Sequence, residues 1–147
     1  MATARDLIGR WDIVSWEQVF DDGRRELPMG DALHGFIRYT EDGDMMCMLA
    51  RAERPNFTTG GQWNASDEEK ARAYTSMLAY GGRFSVDGDI VSHKVNISMF
   101  PNWVGGEQKR RLVKNDDGTV ALPARLEEGP PQARTVRLVW RKAGGQA

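Results

Sequence analysis

The chain has 147 residues, of which 40% are hydrophobic and 28% charged, and this composition predicts one soluble globular domain over residues 1–147. Its 20 basic and 21 acidic side chains give a net charge of −1, so no basic surface favours nucleic acid as a partner. One cysteine, Cys47, excludes an internal disulfide, and no apolar segment has the length of a signal peptide or a membrane span, so we expect a cytoplasmic protein with no membrane partner.

Turn sequences predict an antiparallel β protein. Asp-Gly steps begin at Asp22, Asp42, Asp87 and Asp117, and this dipeptide suits the positive φ angles of tight hairpins. Eight strand-like runs accompany these turns, over residues 10–20, 34–40, 44–51, 82–87, 90–98, 106–114, 119–122 and 134–142. Eight antiparallel strands need a closed barrel or a sandwich to protect their edges.

One helix is predicted between the third and fourth strands. Ser66 and Glu69 have the spacing of a capping box. Apolar residues follow at helical spacing as far as Met77 and Leu78, and the glycine pair 81–82 supplies a stop. The preceding connection, residues 52–65, is interpreted either as a lid or as an ordered surface loop.

Alternation indicates which side chains point into the protein. In the fifth strand Val91, His93, Val95 and Ile97 share one face, so His93 is expected on the apolar side. In the sixth strand the same argument makes Arg110 a candidate inward cation, with a ligand carboxylate or an internal acid as its partner.

The first strand has apolar residues on both faces. Trp11 and Ile13 have one parity, and Val14 and Trp16 have the other. A bulge that changes the parity would bring both pairs to the same side.

Several segments resemble a known family. Gly9-Arg10-Trp11 matches the short Gly-x-Trp signature of lipocalins, and residues 34–45, 80–111 and 138–142 resemble small bacterial lipocalin-like domain proteins. Residues 99–108, MFPNWVGGEQ, are the most specific part of this match. The resemblance implies an all-β, eight-stranded, up-and-down barrel of the calycin type, with a central cavity for a small and largely apolar molecule. It also implies that Arg141 covers Trp11, although the alternation that places Trp140 inside places Arg141 outside.

Two functions remain open. The first is binding of a small, mainly apolar molecule, uncharged or singly anionic, in the barrel cavity. The second is an isomerase, cyclase or hydratase with His93 as general acid or base and Arg110 as its catalytic partner. A purely structural role for His93 is a third interpretation. The residues assigned to the ligand site are Trp16, Tyr39, Met48, His93, Ile97, Asn102, Trp103, Arg110 and Leu138.

No metal site and no cofactor are expected; haem held by one histidine in a small barrel is a minor alternative. Only His34 could join His93 as a metal ligand, and the chain has no paired cysteines or closely spaced histidines. It also lacks a phosphate loop and a dinucleotide motif. A homodimer is left open. For the segment from Phe100 to Trp103, the sequence supports either a rim that contacts the ligand or a turn whose aromatic rings close the core.

Overall fold

A computed structural model describes residues 3–126 and 129–145 of the chain. The strands are β1 (Gly9–Phe20), β2 (Arg25–Glu26), β3 (Leu33–Tyr39), β4 (Asp44–Arg51), β5 (Met77–Asp87), β6 (Ile90–Ser98), β7 (Glu107–Arg111), β8 (Val113–Lys114), β9 (Val120–Leu126) and β10 (Arg134–Lys142). The helices are α1 (Ala4–Leu7) and α2 (Asp67–Thr75), with short 3-10 turns at Pro101–Trp103 and Ala143–Gly145.

The strands form one antiparallel, nearly closed barrel. Their order is β7-β6-β5-β4-β3-β1-β10-β9-β8, and β2 pairs with β1. Apart from the short β2 and the step from β7 to β8, each strand pairs with its neighbours in the chain, and β10 returns to pair with β1. Because β8 follows β7 and pairs with β9, the two ends of the sheet meet. The prediction of an up-and-down lipocalin-like barrel is confirmed.

The strand count differs from eight in two small details. The two-residue strand β2 is additional, and the predicted sixth strand is divided at Leu112 into β7 and β8. The buried side chain of Leu112 packs in the core cluster at this break. Otherwise, each of the eight predicted runs corresponds to one of the longer strands of the barrel.

Helix α2 lies where it was predicted, between the third and fourth long strands, and it begins as predicted. The Ser66 hydroxyl accepts a hydrogen bond from the backbone amide of Glu69 at 3.1 Å. The helix ends earlier than its apolar spacing suggested, because Met77 and Leu78 belong to β5 and pair with β4. Sheet pairing therefore outweighs helical periodicity at this boundary.

Two bulges decide which residues face the interior. Val14 is unpaired between Ile13 and Ser15, so the inward parity of β1 changes and both Trp11 and Trp16 face the barrel interior. The expected bulge is present, but Val14 itself is 39% exposed and does not share their side. In β6 the register shifts opposite Gly82, which leaves Asn96 unpaired. A Cβ atom on Gly82 would lie 1.9 Å from the Lys94 carbonyl oxygen, so this close strand approach requires glycine.

The loop before α2 packs on the helix. The Thr58 amide donates to the Glu69 carboxylate at 2.9 Å, and the Arg54 guanidinium donates to the Ser76 hydroxyl at 3.0 Å. Trp63 in this loop is 79% exposed. The described loop residues do not line the barrel cavity, so the arrangement is that of an ordered surface loop.

Candidate ligand-binding cavity

The barrel encloses a cavity of about 370 Å³. This volume is within the range of small-molecule pockets. Aliphatic and aromatic side chains form most of its wall, and no aspartate or glutamate is among its described lining residues. These are Trp16, Gln18, Ile37, Cys47, Leu78, Tyr80, His93, Phe100, Trp103, Arg110, Leu122, Leu126, Arg134, Val136, Leu138 and Trp140.

His93 lies in this wall between two tyrosines. Its Nε2 atom is 2.7 Å from the Tyr39 hydroxyl, and its Nδ1 atom is 2.9 Å from the Tyr80 hydroxyl. All three side chains are buried, and His93 is 1% exposed. Tyr80 and His93 line the cavity, whereas Tyr39 lies behind them. The predicted inward orientation of His93 is therefore confirmed.

Burial keeps this cluster uncharged at neutral pH. Desolvation, together with the nearby positive charge of Arg110, lowers the pKa of His93 from 6.5 to about 3. Desolvation also raises the pKa of both Tyr39 and Tyr80 above the usual value of 10. The imidazole is therefore neutral, and both of its nitrogen atoms are already hydrogen-bonded to the protein. This geometry favours binding over acid or base catalysis by His93, which would need a ring nitrogen within reach of substrate.

Two guanidinium groups give the cavity a positive potential. Arg110 points inward from β7, as alternation predicted, and its own contacts are the Lys109 carbonyl at 3.2 Å and the Gln108 side chain at 3.5 Å. No described carboxylate forms an ion pair with Arg110. Arg134 donates to the Gln18 amide oxygen at 2.5 Å. Arg110 is therefore a wall guanidinium without a described ion-pair partner, and it could pair with an anionic group of a ligand.

Two indole groups of the wall have unpaired donors. The Nε1 atoms of Trp16 and Trp140 are buried and have no hydrogen-bond partner among the described residues. Such orphaned donors are uncommon in folded proteins and carry a desolvation cost. Two side chains that line the cavity therefore carry buried donors for which the described residues offer no acceptor.

An aromatic cluster from the β6–β7 connection adds to the wall. The Trp103 ring packs edge-on against Tyr80, with centroids 5.3 Å apart, and against Phe100 at 5.6 Å. Phe100 and Trp103 both line the cavity, while Asn102 between them is exposed. The 3-10 turn at Pro101–Trp103 explains this difference, because it turns Asn102 toward solvent.

The structure separates the sequence-assigned residues into two groups. Trp16, His93, Trp103, Arg110 and Leu138 line the cavity, and Tyr39 contacts it through His93. Met48, Ile97 and Asn102 lie outside it.

Each outward residue has a structural cause. Ile97 is 70% exposed, because the bulge at Asn96 reverses the parity that holds from Val91 to Val95. Met48 is on the outer face of β4, where it lines a separate surface groove, while Cys47 beside it points inward. Both faces of β4 are apolar, so alternation could not choose between them.

Sequence reasoning also missed several lining residues. Tyr80 was placed before the fourth predicted strand because the glycine pair 81–82 was interpreted as a helix stop. The structure pairs Tyr80 with Cys47 inside β5. Trp140 was expected inside from the alternation of the last strand, and it lines the cavity; Val136 has the same parity and could have been assigned with it.

The described residues contain neither a metal-binding cluster nor a membrane-spanning helix. No group of three or more histidine, cysteine or acidic side chains is arranged to hold a metal ion there. No helix in the same part of the chain has the length and apolar character needed to cross a membrane.

Comparison with known proteins gives a consistent result. A family model described as "Lipocalin-like domain" matches residues 8–143. The chain is 41% identical over 89 residues to the 4'-hydroxy-3'-methoxypropiophenone carrier protein ppsC of Aspergillus oryzae (strain ATCC 42149 / RIB 40), covering 54% of this chain and 78% of that protein. The fold and this carrier relative support ligand binding in the barrel.

Solved structures include similar chains at low identity. A lipocalin-like protein from Bacteroides uniformis ATCC 8492 is 16% identical, with a TM-score of 0.47 over 93% of this chain and 98% of that chain. An uncharacterized protein from Bacteroides eggerthii DSM 20697 is also 16% identical, with a TM-score of 0.46 over 93% of this chain and 99% of that chain.

Proposed function

Since this chain belongs to the lipocalin-like domain family, we propose that it is a carrier whose barrel holds one oxygen-bearing aromatic molecule of mainly apolar surface. The observation that carries the proposal is the cavity of about 370 Å³, with its apolar wall and a few polar groups that converge on it. Such a wall stabilises an apolar ligand by roughly 25 cal/mol per Å² of buried surface. The polar groups then orient the ligand.

Both the aromatic side chains of the cavity wall and the related carrier protein favour an aromatic ligand. Four aromatic side chains line the cavity, and an aromatic wall suits a planar ligand: Trp16, Phe100, Trp103 and Trp140. The related carrier is named for an aryl ketone with hydroxyl and methoxy substituents. We therefore propose aryl ketones and similar oxygenated aromatics as the ligand class.

The charge of the ligand follows from the charged groups of the wall. Arg110 can pair with one carboxylate or phenolate, whereas Arg134 is already engaged with Gln18. We therefore propose that the ligand is neutral or singly anionic. Nucleotides and sugar phosphates, with two or more charges, would be poorly compensated in a largely apolar site.

Titration with matched compounds tests this function. Propiophenone and 3-phenylpropionate are added to the purified protein, with a nucleotide and a sugar phosphate as comparison compounds. Four of the five tryptophans belong to the barrel core or the cavity wall, so a bound aromatic compound should change the intrinsic fluorescence. Saturable binding of the aromatic compounds without response to the phosphates is the expected result.

A matched pair of variants locates the binding. Leu138→Trp fills the cavity from β10, while Arg137→Trp adds the same ring at the neighbouring exposed position. Calorimetry should show loss of propiophenone binding only in Leu138→Trp, with circular dichroism confirming that both variants fold. Tight nucleotide binding without response to apolar compounds, or equal effects of the two variants, would contradict the proposal.

Native mass spectrometry extends the same test. Protein purified from its own host would reveal a retained ligand by its mass, and the same spectrum would report monomer or homodimer.

We propose a cytoplasmic carrier because Cys47 is the one cysteine of the chain and is a free buried thiol.

A further inference from the structure

The donors and acceptors in the two hydrogen bonds of His93 can be assigned from the number of protons that its ring and the two tyrosine hydroxyls carry. A neutral imidazole has one N–H donor and one acceptor nitrogen, and each tyrosine hydroxyl has one proton to donate. Two arrangements are therefore compatible with the two hydrogen bonds. In the first, Tyr39 donates to Nε2 and Nδ1–H donates to Tyr80. In the second, Tyr80 donates to Nδ1 and Nε2–H donates to Tyr39.

The environment of Tyr39 selects the first arrangement. Its side chain is 1% exposed and does not line the cavity, and the His93 Nε2 atom is the partner of its hydroxyl among the described residues. In the second arrangement the Tyr39 proton would be buried without an acceptor, which costs the desolvation of that group. In the first arrangement Tyr39 donates to Nε2 and its proton is satisfied.

The first arrangement leaves the hydroxyl proton of Tyr80 without a described protein acceptor, and Tyr80 lines the cavity. We propose that Tyr80 is the hydroxyl donor that binds a carbonyl oxygen of the ligand, and that Tyr39 and His93 are positioning residues that hold it in this orientation. This inference rests on the proposed carrier function and names the residue that would select among apolar ligands.

The rest of the wall agrees with an acceptor on the ligand. The indole N–H groups of Trp16 and Trp140 are unpaired donors, and the Gln18 oxygen and both His93 nitrogens are already occupied. A neutral carbonyl matches a neutral hydroxyl donor, whereas Arg110 would serve a carboxylate. The site should therefore distinguish a ketone from a hydrocarbon of the same shape.

Two probe compounds isolate the contribution of the ligand carbonyl. Propiophenone and propylbenzene have the same carbon skeleton and differ in a carbonyl in place of a methylene. Tyr80→Phe should raise the Kd for propiophenone by about threefold to tenfold, as expected for one hydrogen bond, and should change that for propylbenzene by less than about twofold. Tyr74→Phe, on the exposed face of α2, is the matched control and should change neither.

Tyr39→Phe gives a second test, one that a packing role does not predict. In Tyr39→Phe neither tautomer satisfies the buried Nε2 atom, so the choice falls to Tyr80, whose proton is accepted only when Nδ1 is unprotonated. Propiophenone should therefore again lose affinity while propylbenzene does not. Nitrogen-15 NMR of the imidazole should show protonated Nδ1 in the parent protein and a shift toward protonated Nε2 in Tyr39→Phe. Thermal denaturation confirms that each variant is folded.

The outcomes separate the two proposals. If both probes bind and Tyr80→Phe weakens them equally or not at all, the carrier function stands and the role of Tyr80 is wrong. Protonated Nε2 in the parent protein would also overturn the inference. If neither probe binds the parent protein, the proposed function fails and the inference fails with it.

Discussion

The Lys142 ammonium lies over the Trp11 indole ring, 5.0 Å from its centre. The same ammonium donates to the Ile8 carbonyl, and the Trp11 Nε1 atom donates to the Leu7 carbonyl at 2.9 Å. The resemblance to lipocalins assigned the covering cation to Arg141. Arg141 is exposed on the outer face of β10. Because side chains alternate along a strand, Lys142 has the same parity as the inward Trp140, and it is paired with Trp11.

Trp11 should therefore stabilise the fold without contacting the ligand. It is 8% exposed and does not line the cavity. Trp11→Ala should lower the free energy of unfolding by about 3–5 kcal/mol, as for other buried aromatic truncations. Lys142→Met should lower it by only about 0.5–1 kcal/mol, the contribution of an exposed cation above a ring. Urea denaturation measures both.

Lys142→Met, which leaves the core intact, serves as the binding control. Its propiophenone affinity should equal that of the parent protein. A cost for Trp11→Ala no greater than that for Lys142→Met would contradict the structural role of Trp11. A lower affinity in Lys142→Met would show that the Lys142 cation also supports the ligand site.

Acid should destabilise the fold through His93. The pKa of His93 is about 3 in the folded protein and 6.5 as the reference, so between these values the unfolded chain binds more protons. Stability is complete above about pH 6.5 and decreases as the pH falls. From pH 7.5 to 5 this single group should cost about 2 kcal/mol.

Comparison with a His93 variant separates the pH dependence caused by His93 from that caused by the carboxylates. Urea denaturation of the parent protein and of His93→Gln is compared at pH 7.5 and pH 5, above the pH range in which exposed aspartates titrate. The parent should lose about 2 kcal/mol more than the variant. Parallel losses in both proteins would show that His93 is not the group responsible.

Alternation predicted the wall correctly in strands with a regular register and one apolar face, whereas in β4, where both faces are apolar, it could not exclude Met48. It placed Arg110 and Leu138 inside, and both line the cavity. The bulge in β1 was predictable because its two apolar sets, around Trp11 and Trp16, needed one side of the sheet. The fold was predictable from turn chemistry and family resemblance.

The errors occur where tertiary pairing decides the outcome. The bulge at Asn96 leaves no sequence signal in β6, since Val95 and Ile97 alternate as in a regular strand. Its cause is the close approach of Gly82 on the neighbouring strand. Tyr80 was missed for a related reason, because a glycine pair in a strand resembles a helix stop. The central hydrogen bonds of the site depend on that missed residue.

Arg110 should select for ligand charge. Its guanidinium lines the cavity, and no described carboxylate compensates it there. Arg110→Gln should raise the Kd for 3-phenylpropionate by about tenfold or more, because it removes a charge-assisted hydrogen bond, and should leave propiophenone within about twofold. Arg111→Gln, at the exposed neighbouring position, is the matched control for calorimetric titration. Equal losses of both compounds in Arg110→Gln would indicate damage to the cavity rather than loss of a charge partner.

Cys47 should be almost unreactive in the folded protein. It is 2% exposed, and burial raises its pKa from 9.0 to about 12 despite the opposing effect of Arg110. Because the thiolate is the reactive species, ionisation alone should slow its reaction with Ellman's reagent at pH 8 by about 10³-fold relative to an exposed cysteine.

The neighbouring outward position supplies the matched comparison for Cys47. In a Cys47→Ser background, Met46→Cys places a thiol one residue away on the exposed face of β4, where Met46 is 45% exposed. That thiol should react rapidly, whereas Cys47 of the parent protein should react only after unfolding in urea. Similar rates for the two folded proteins would show that solvent reaches Cys47, and they would contradict the closed wall at this side of the cavity. Slow reaction of Cys47 beside fast reaction of its neighbour would establish which face of β4 lines the ligand site.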